Sequence, residues 1–168
     1  MDGLPPKVRR GGPDSLAGVV KLVFALHLLF AIFAIGPLVH AATTAGRGVR
    51  TGNGTATASS ARMLRVYSYA SVLVVIAGMA LMSMDDPDEK GRKIGEFSQV
   101  WIWLSLLLWL VAVAIVLAVI VPALTKASAL IEKQESVVTL TSRVAAAGGV
   151  VGLVFAVIVF LMVYQPGH

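Results

Sequence analysis

Four long runs of apolar residues divide the chain, at 22–39, 66–84, 100–124 and 144–164, and none of them contains Asp, Glu, Lys or Arg. Each run has about the 18 or more residues that a helix needs to cross roughly 30 Å of hydrocarbon. Backbone polar groups in lipid must pair within their own segment, and the runs lack the alternation of a transmembrane strand. The pattern therefore predicts an all-α, four-helix transmembrane bundle.

The segments around these runs are polar and indicate how the chain is organised. Residues 1–15 are rich in Pro, Gly and charge and predict a flexible tail before a transmembrane domain over 16–165. Residues 42–61 are rich in Gly, Thr, Ser and Ala and predict a flexible connector. Residues 125–143 predict an amphipathic helical extension. The predicted spans are approximately 18–41, 66–84, 100–124 and 144–164.

A weak internal repeat relates the two halves of the chain. The first run ends in Ile-Gly-Pro37 and the third in Ile-Val-Pro122, and each is followed by a polar connector, an Arg and another span. One interpretation is a parallel repeat of two tandem helical hairpins. The alternative is that hydrophobic helices resemble one another through composition alone.

Composition excludes several classes of function. The chain is 57% hydrophobic and 14% charged, whereas soluble domains are about half apolar and about a quarter charged. The absence of cysteine excludes disulfides, thiolate metal sites, iron–sulfur clusters and cysteine nucleophiles. The net charge of +5 comes from basic residues that flank the spans, where anionic headgroups explain them, so we expect no nucleic-acid partner. We expect a multi-pass protein of the inner (plasma) membrane.

His27 is the strongly polar side chain nearest the centre of a span, and such residues are candidates for function because burying them in lipid is costly. His40 lies about 20 Å further along the same helix and is rotated by roughly 220°, and His168 follows the fourth helix, so we expect no bis-histidine haem within one chain. The open alternatives are haem b held by His27 alone, with a Met or between subunits, and a His27 that hydrogen-bonds a neighbouring helix.

Three methionines, Met79, Met82 and Met84, end the second span beside an acidic segment. Thioethers bind Cu(I), and carboxylates at a pore mouth collect cations, so a copper-handling site is one interpretation. The other is that these methionines are ordinary filler in an apolar helix.

Small residues open the fourth span: Ala145, Gly148, Gly149 and Gly152. They form two overlapping pairs at a spacing of four, which places each pair on one helix face. Small side chains allow helix backbones to approach closely, a main source of attraction between helices in lipid. The face predicts helix packing, either inside the bundle or against a partner protein.

Three short motifs carry a resemblance to known proteins: the run from His27 through Gly36-Pro37 to His40, the segment Arg62-Met-Leu-Arg65, and the segment Gly78-Met-Ala-Leu. In them the chain resembles a family of bacterial predicted integral membrane proteins of unknown function. A Pro-Ala-Leu segment at 122–124 fits the third helix of that family, and the likeness covers most of 20–165.

More distantly, the first helix resembles that of copper-resistance D-type proteins and of four-helix bacterial protoporphyrinogen oxidases, which also place a His early in the first helix. The chain departs from the oxidase pattern at Gly36-Pro37, and its third span lacks a Lys. The Ala, Val and Gly content resembles that of high-GC actinobacteria, in which small helical proteins accompany the respiratory supercomplex.

No Ser-His-Asp, paired-carboxylate or phosphate-loop pattern is present in the sequence, so we expect no enzymatic activity. The leading hypothesis is an accessory or scaffold subunit of a larger membrane assembly, such as an actinobacterial respiratory supercomplex, that contacts lipids and other membrane subunits and needs no cofactor. The alternatives are a haem-linked or copper-linked membrane protein using His27 and a small-solute carrier. The 14 Lys and Arg divide evenly between the two membrane sides, which leaves only a slight preference for an N-terminus outside the cell.

Overall fold

The computed structural model describes residues 13–86, 93–96 and 98–166. Four continuous helices in this part of the chain are long and apolar enough to cross a membrane: Ala17–Arg50, Gly54–Met82, Val100–Glu132 and Val138–Tyr164. The prediction of an all-α, four-helix transmembrane protein is confirmed.

Two of these helices change pitch near their middle. The first consists of α1 (Pro13–Phe30), a π-helical segment (Ala31–Ile35) and α2 (Gly36–Arg50). The third consists of α4 (Val100–Ile115), a second π-helical segment (Val116–Ile120) and α5 (Val121–Glu132). The second and fourth helices are α3 (Gly54–Met82) and α6 (Val138–Tyr164).

The π-helical segments lie immediately before the two prolines of the sequence repeat. Proline has no N–H to donate, and its ring collides with the carbonyl one turn earlier. The backbone widens instead: the Gly36 N–H donates to the Ala31 carbonyl before Pro37, and the Val121 N–H donates to the Val116 carbonyl before Pro122. Each half therefore has the same interruption at the same place.

Packing between the halves has the same symmetry. The seam between α2 and α6 has its counterpart in the seam between α5 and α3, and α1 on α3 matches α4 on α6. All six buried positions of α3 recur in α6 with identical spacing: Thr57, Ala61, Leu64, Ser68, Ser71 and Val74 correspond to Val144, Gly148, Val151, Phe155, Ile158 and Leu161. The packing supports the interpretation of two tandem hairpins.

The prediction of a flexible connector over 42–61 is wrong, because most of that segment is helical. The α2 helix continues to Arg50 and α3 begins at Gly54. Gly52 has a φ of +64°, which glycine adopts without strain, and the Asn53 side chain accepts a hydrogen bond of 2.9 Å from the Ala56 N–H to cap α3. Small residues form helix here because both helices pack against neighbours.

The predicted tail over 1–15 lies largely outside the described residues, and its last three positions, 13–15, belong to α1. The predicted extension over 125–143 is helical to Glu132 and again from Val138, with a turn between. The buried core is centred on α2 and α5, where Leu38, Leu124 and their neighbours are fully enclosed.

Candidate functional site

His27 lies in the seam between α1 and α3, where its Nδ1 is 3.0 Å from the Val74 carbonyl oxygen. A Cβ added to Gly78 would lie 3.1 Å from the His27 Cε1 and 3.4 Å from Nδ1. The missing side chain at Gly78 therefore makes room for the imidazole against α3. Since Val74 and Gly78 are one turn apart, the ring covers one turn of that helix.

This hydrogen bond fixes the tautomer of His27. A carbonyl oxygen can only accept, so Nδ1 carries the proton, and in the neutral ring Nε2 keeps its lone pair. Histidines that ligate metals in proteins usually donate their other N–H to a carbonyl or carboxylate in this way. His27 therefore makes the helix-to-helix hydrogen bond expected as one alternative, and the ring is oriented as in a metal-ligating histidine.

The other candidate ligands are dispersed. His40 is exposed on α2, and His168 lies outside the described residues. Met79 is about half exposed. Met82 packs against Gly95, and a Cβ added to Gly95 would lie 3.1 Å from the Met82 Cγ. The Met84 carbonyl accepts a 3.1 Å hydrogen bond from the Ile94 N–H. Among the described residues, no three His, Asp or Glu side chains converge as a metal site.

The small-residue face of α6 packs mostly inside the bundle. A Cβ on Gly148 would collide with the Ala42 carbonyl oxygen of α2 and lie 2.9 Å from the carbonyl carbon. A Cβ added to Gly152 would lie 3.1 Å from the Thr43 methyl carbon. Ala145 contacts Gly46 of α2. Of the two uses predicted for this face, internal packing is the one that the structure shows.

Gly149 differs from the other members of this face. A Cβ at Gly149 would have no atom of the described chain within 4 Å, beyond its own helix backbone. It therefore takes no part in the α2 seam.

Buried serines form a polar group that the sequence analysis did not single out. The Trp109 Nε1–H donates a 3.1 Å hydrogen bond to the Ser71 hydroxyl oxygen, and that hydroxyl donates to the Ser68 carbonyl at 2.7 Å. Ser68 and Ser105 are also buried, and their own hydroxyls find no partner among the described residues. Serine is common in apolar helices, so only tertiary structure reveals that Trp109 reaches across to Ser71.

A lateral groove between α3 and α5, with a volume of about 640 Å³, was also not predicted. Its walls come from both helices and from the π-helical segment before Pro122: Arg65, Tyr69, Leu117, Val121, Pro122, Thr125, Lys126 and Ala129. We call this the α3/α5 groove. The sequence shows basic residues at the ends of the spans. Only the packing of the two halves brings Arg65 and Lys126, from two different helices, to the same groove.

Comparison with known proteins identifies a family of membrane proteins. A family model described as "Predicted integral membrane protein (DUF2269)" matches residues 21–166. No curated protein and no solved structure matches the chain. The matched segment includes the two π-helical segments, His27 and the α3/α5 groove.

Proposed function

We propose that this chain, which belongs to the DUF2269 family of predicted integral membrane proteins, is a non-catalytic accessory or scaffold subunit of a larger membrane assembly, such as a respiratory supercomplex. The observation that carries the proposal is the incomplete packing of the first helix. In the 18-residue apolar stretch of this helix, only 11% of the residues are buried within the chain. In the corresponding stretch of each of the other three spans, 28% are buried.

The α1 helix packs mainly along α3 and turns large apolar side chains away from the bundle. Leu22 of α1 is 60% exposed, and Ile32 and Phe33 of the π-helical segment that follows it are 67% and 66% exposed. Lipid acyl chains can cover this apolar face, but they do not pack against it specifically. A second helix would add close van der Waals contact, which is a main attraction between helices in a bilayer. A partner helix on this face would complete the packing of α1.

Site-specific photo-crosslinking in native membranes tests this proposal. A photoreactive residue at Ile32 should give one defined protein adduct, and the tagged chain should purify in mild detergent at a fixed ratio to that protein. The matched control is the same residue at Leu153, which is 70% exposed on α6. Equal adducts from both positions, or a lone four-helix monomer by native mass spectrometry, would contradict the proposal.

A second candidate is a haem-linked membrane protein, which the orientation of His27 favours. The Nδ1–H donor to the Val74 carbonyl leaves Nε2 as the ligating nitrogen, so His27 would hold the iron from one side. His27 would hold the haem alone, together with a methionine, or together with a residue of another subunit. Bound haem would supply redox or ligand-binding chemistry.

Visible spectroscopy after expression with haem supply tests this second candidate. We expect a Soret band that His27→Ala abolishes and His40→Ala retains, because His40 is exposed on another part of the helix. A purified, folded protein without a Soret band would eliminate the haem proposal. It would leave the accessory-subunit proposal unaffected.

A further inference from the structure

The lining of the α3/α5 groove is divided by polarity. Arg65 and Lys126 bring positive charge from the two helices, and Tyr69 adds an exposed phenol. Neither cation has a hydrogen-bond or ion-pair partner among the described residues. The other wall residues are apolar, among them Leu117 and Val121, except Thr125, whose hydroxyl donates to the Val121 carbonyl oxygen at 2.9 Å. The groove therefore has two unpaired positive charges and, beside them, a largely apolar wall.

The two charges border the uncharged runs of their helices, which predicts that they lie near the lipid headgroups. Arg65 directly precedes the uncharged run 66–84, and Lys126 closely follows the uncharged run 100–124. The helix ends nearest to these residues are the start of α3 and the end of α5, which lie on the same side of the membrane because each hairpin turns there. A ligand between Arg65 and Lys126 would have its charge at the interface and its apolar part beside the hydrocarbon.

The other half of the repeat shows that the groove is not a consequence of the fold alone. In the matching seam between α6 and α2, Gly152 occupies the position of Arg65 and Ala41 occupies that of Lys126. Backbone contact between Gly148 and Ala42 closes that seam. The seam between α5 and α3 instead combines an open groove with two cations.

We propose that the α3/α5 groove binds one anionic phospholipid of the bilayer. Its phosphate lies between Arg65 and Lys126, where two cations complement the negative charge, and the Tyr69 hydroxyl can donate to a phosphate oxygen. One acyl chain lies along the apolar wall formed by Leu117, Val121 and Pro122. The groove opens sideways to the membrane, so the occupant enters from the bilayer.

Native mass spectrometry of the full chain in detergent tests this proposal with phosphatidylglycerol and phosphatidylcholine of the same acyl chains. The wild-type protein should retain one phosphatidylglycerol and bind phosphatidylcholine about tenfold more weakly or worse. The variant Arg65→Gln with Lys126→Gln should weaken phosphatidylglycerol binding by about tenfold or more. The control variant, Arg62→Gln with Lys133→Gln, removes two charges outside the groove and should bind like wild type.

A third variant separates the groove from the charge. Ala129→Phe keeps both cations but fills the groove, and it should also lose the retained phosphatidylglycerol. It keeps the test decisive if the double glutamine variant does not fold. Equal weakening by the groove and control variants, retention in Ala129→Phe, or equal binding of both lipids would overturn the proposal. Displacement of phosphatidylglycerol by inorganic phosphate alone would identify a site for a soluble anion and overturn it as well.

Discussion

Gly148 and Gly149 are adjacent on α6 but have opposite surroundings. Gly148 is buried against the Ala42 carbonyl group of α2. A Cβ at Gly149 would have no atom of the described residues within 4 Å apart from the backbone of its own helix. One glycine is therefore needed for close approach, and the other has only the conformational cost of glycine in a helix. The sequence pattern identifies this small-residue face, but it does not distinguish the two positions.

Gly148→Ala should destabilise the bundle, because the added methyl group forces α6 away from the α2 backbone. We expect a loss of about 1–3 kcal/mol in the free energy of unfolding, the usual cost of overpacking a well-packed site. Gly149→Ala is the matched control and should be neutral or stabilise by up to about 1 kcal/mol, since alanine is the better helix former. Reversible unfolding in mixed detergent micelles measures both. Equal stability of the two variants would contradict the structure.

At the scale of the helix, each proline acts through the π-helical segment before it. The widened turns at 31–35 and 116–120 set the direction in which α1 leaves α2 and α4 leaves α5. The two prolines were recognised in the sequence as marks of a repeat. Their effect on the backbone follows from the missing N–H, but the choice of a π turn over a kink required the structure.

Pro37→Ala should shift α1 against α3, because a restored N–H allows a regular helix with a different rotation. The chain has no cysteine, so His27→Cys with Gly78→Cys gives a single disulfide pair that reports this contact. We expect rapid oxidative crosslinking in the parent pair and slower crosslinking when Pro37→Ala is added.

Pro122→Ala is the control for this measurement, since it changes the other half of the repeat and leaves α1 in place. Crosslinking that is unaffected by either proline substitution would show that the π-helical segment before Pro37 does not orient α1.

At the scale of the whole molecule, the extensive seams join the two hairpins to each other. The α2 helix packs on α6, and α3 packs on α5, so each half packs two helices against the other half. Each hairpin also brings the chain back to the side of the membrane from which it started. Both hairpins can therefore insert in the same orientation as separate chains.

Separate fragments covering 1–89 and 90–168 should assemble when they are expressed together, because the cut leaves both seams intact. A tag on one fragment should recover the other in mild detergent at an equal ratio. Gly148→Leu in the second fragment should sharply reduce this recovery, and Gly149→Leu should not. Fragments that purify separately, each folded alone, would show that the hairpins are independent units.

The prediction of four helices depended on the absence of charged residues from four long runs of the sequence. No charged residue interrupts the runs around His27, Gly78, Trp109 or Gly152, and such lengths without charge can cross a bilayer only as helices. The same reasoning missed the helical connector, because the small residues near Gly52 resemble a linker when their packing partners are unknown. His27 was identified as a candidate, while its acceptor, Val74, was not.

The sequence by itself determined that this chain is a four-helix membrane protein with few ionisable groups at bilayer depth. Tertiary structure alone decided that Gly148 packs inside, that Trp109 reaches Ser71 and that Arg65 and Lys126 line one groove. The physical reason is that in water an apolar stripe marks the buried face of a helix. In lipid the inner and outer faces are both apolar, so only the contacts between helices reveal which residues meet.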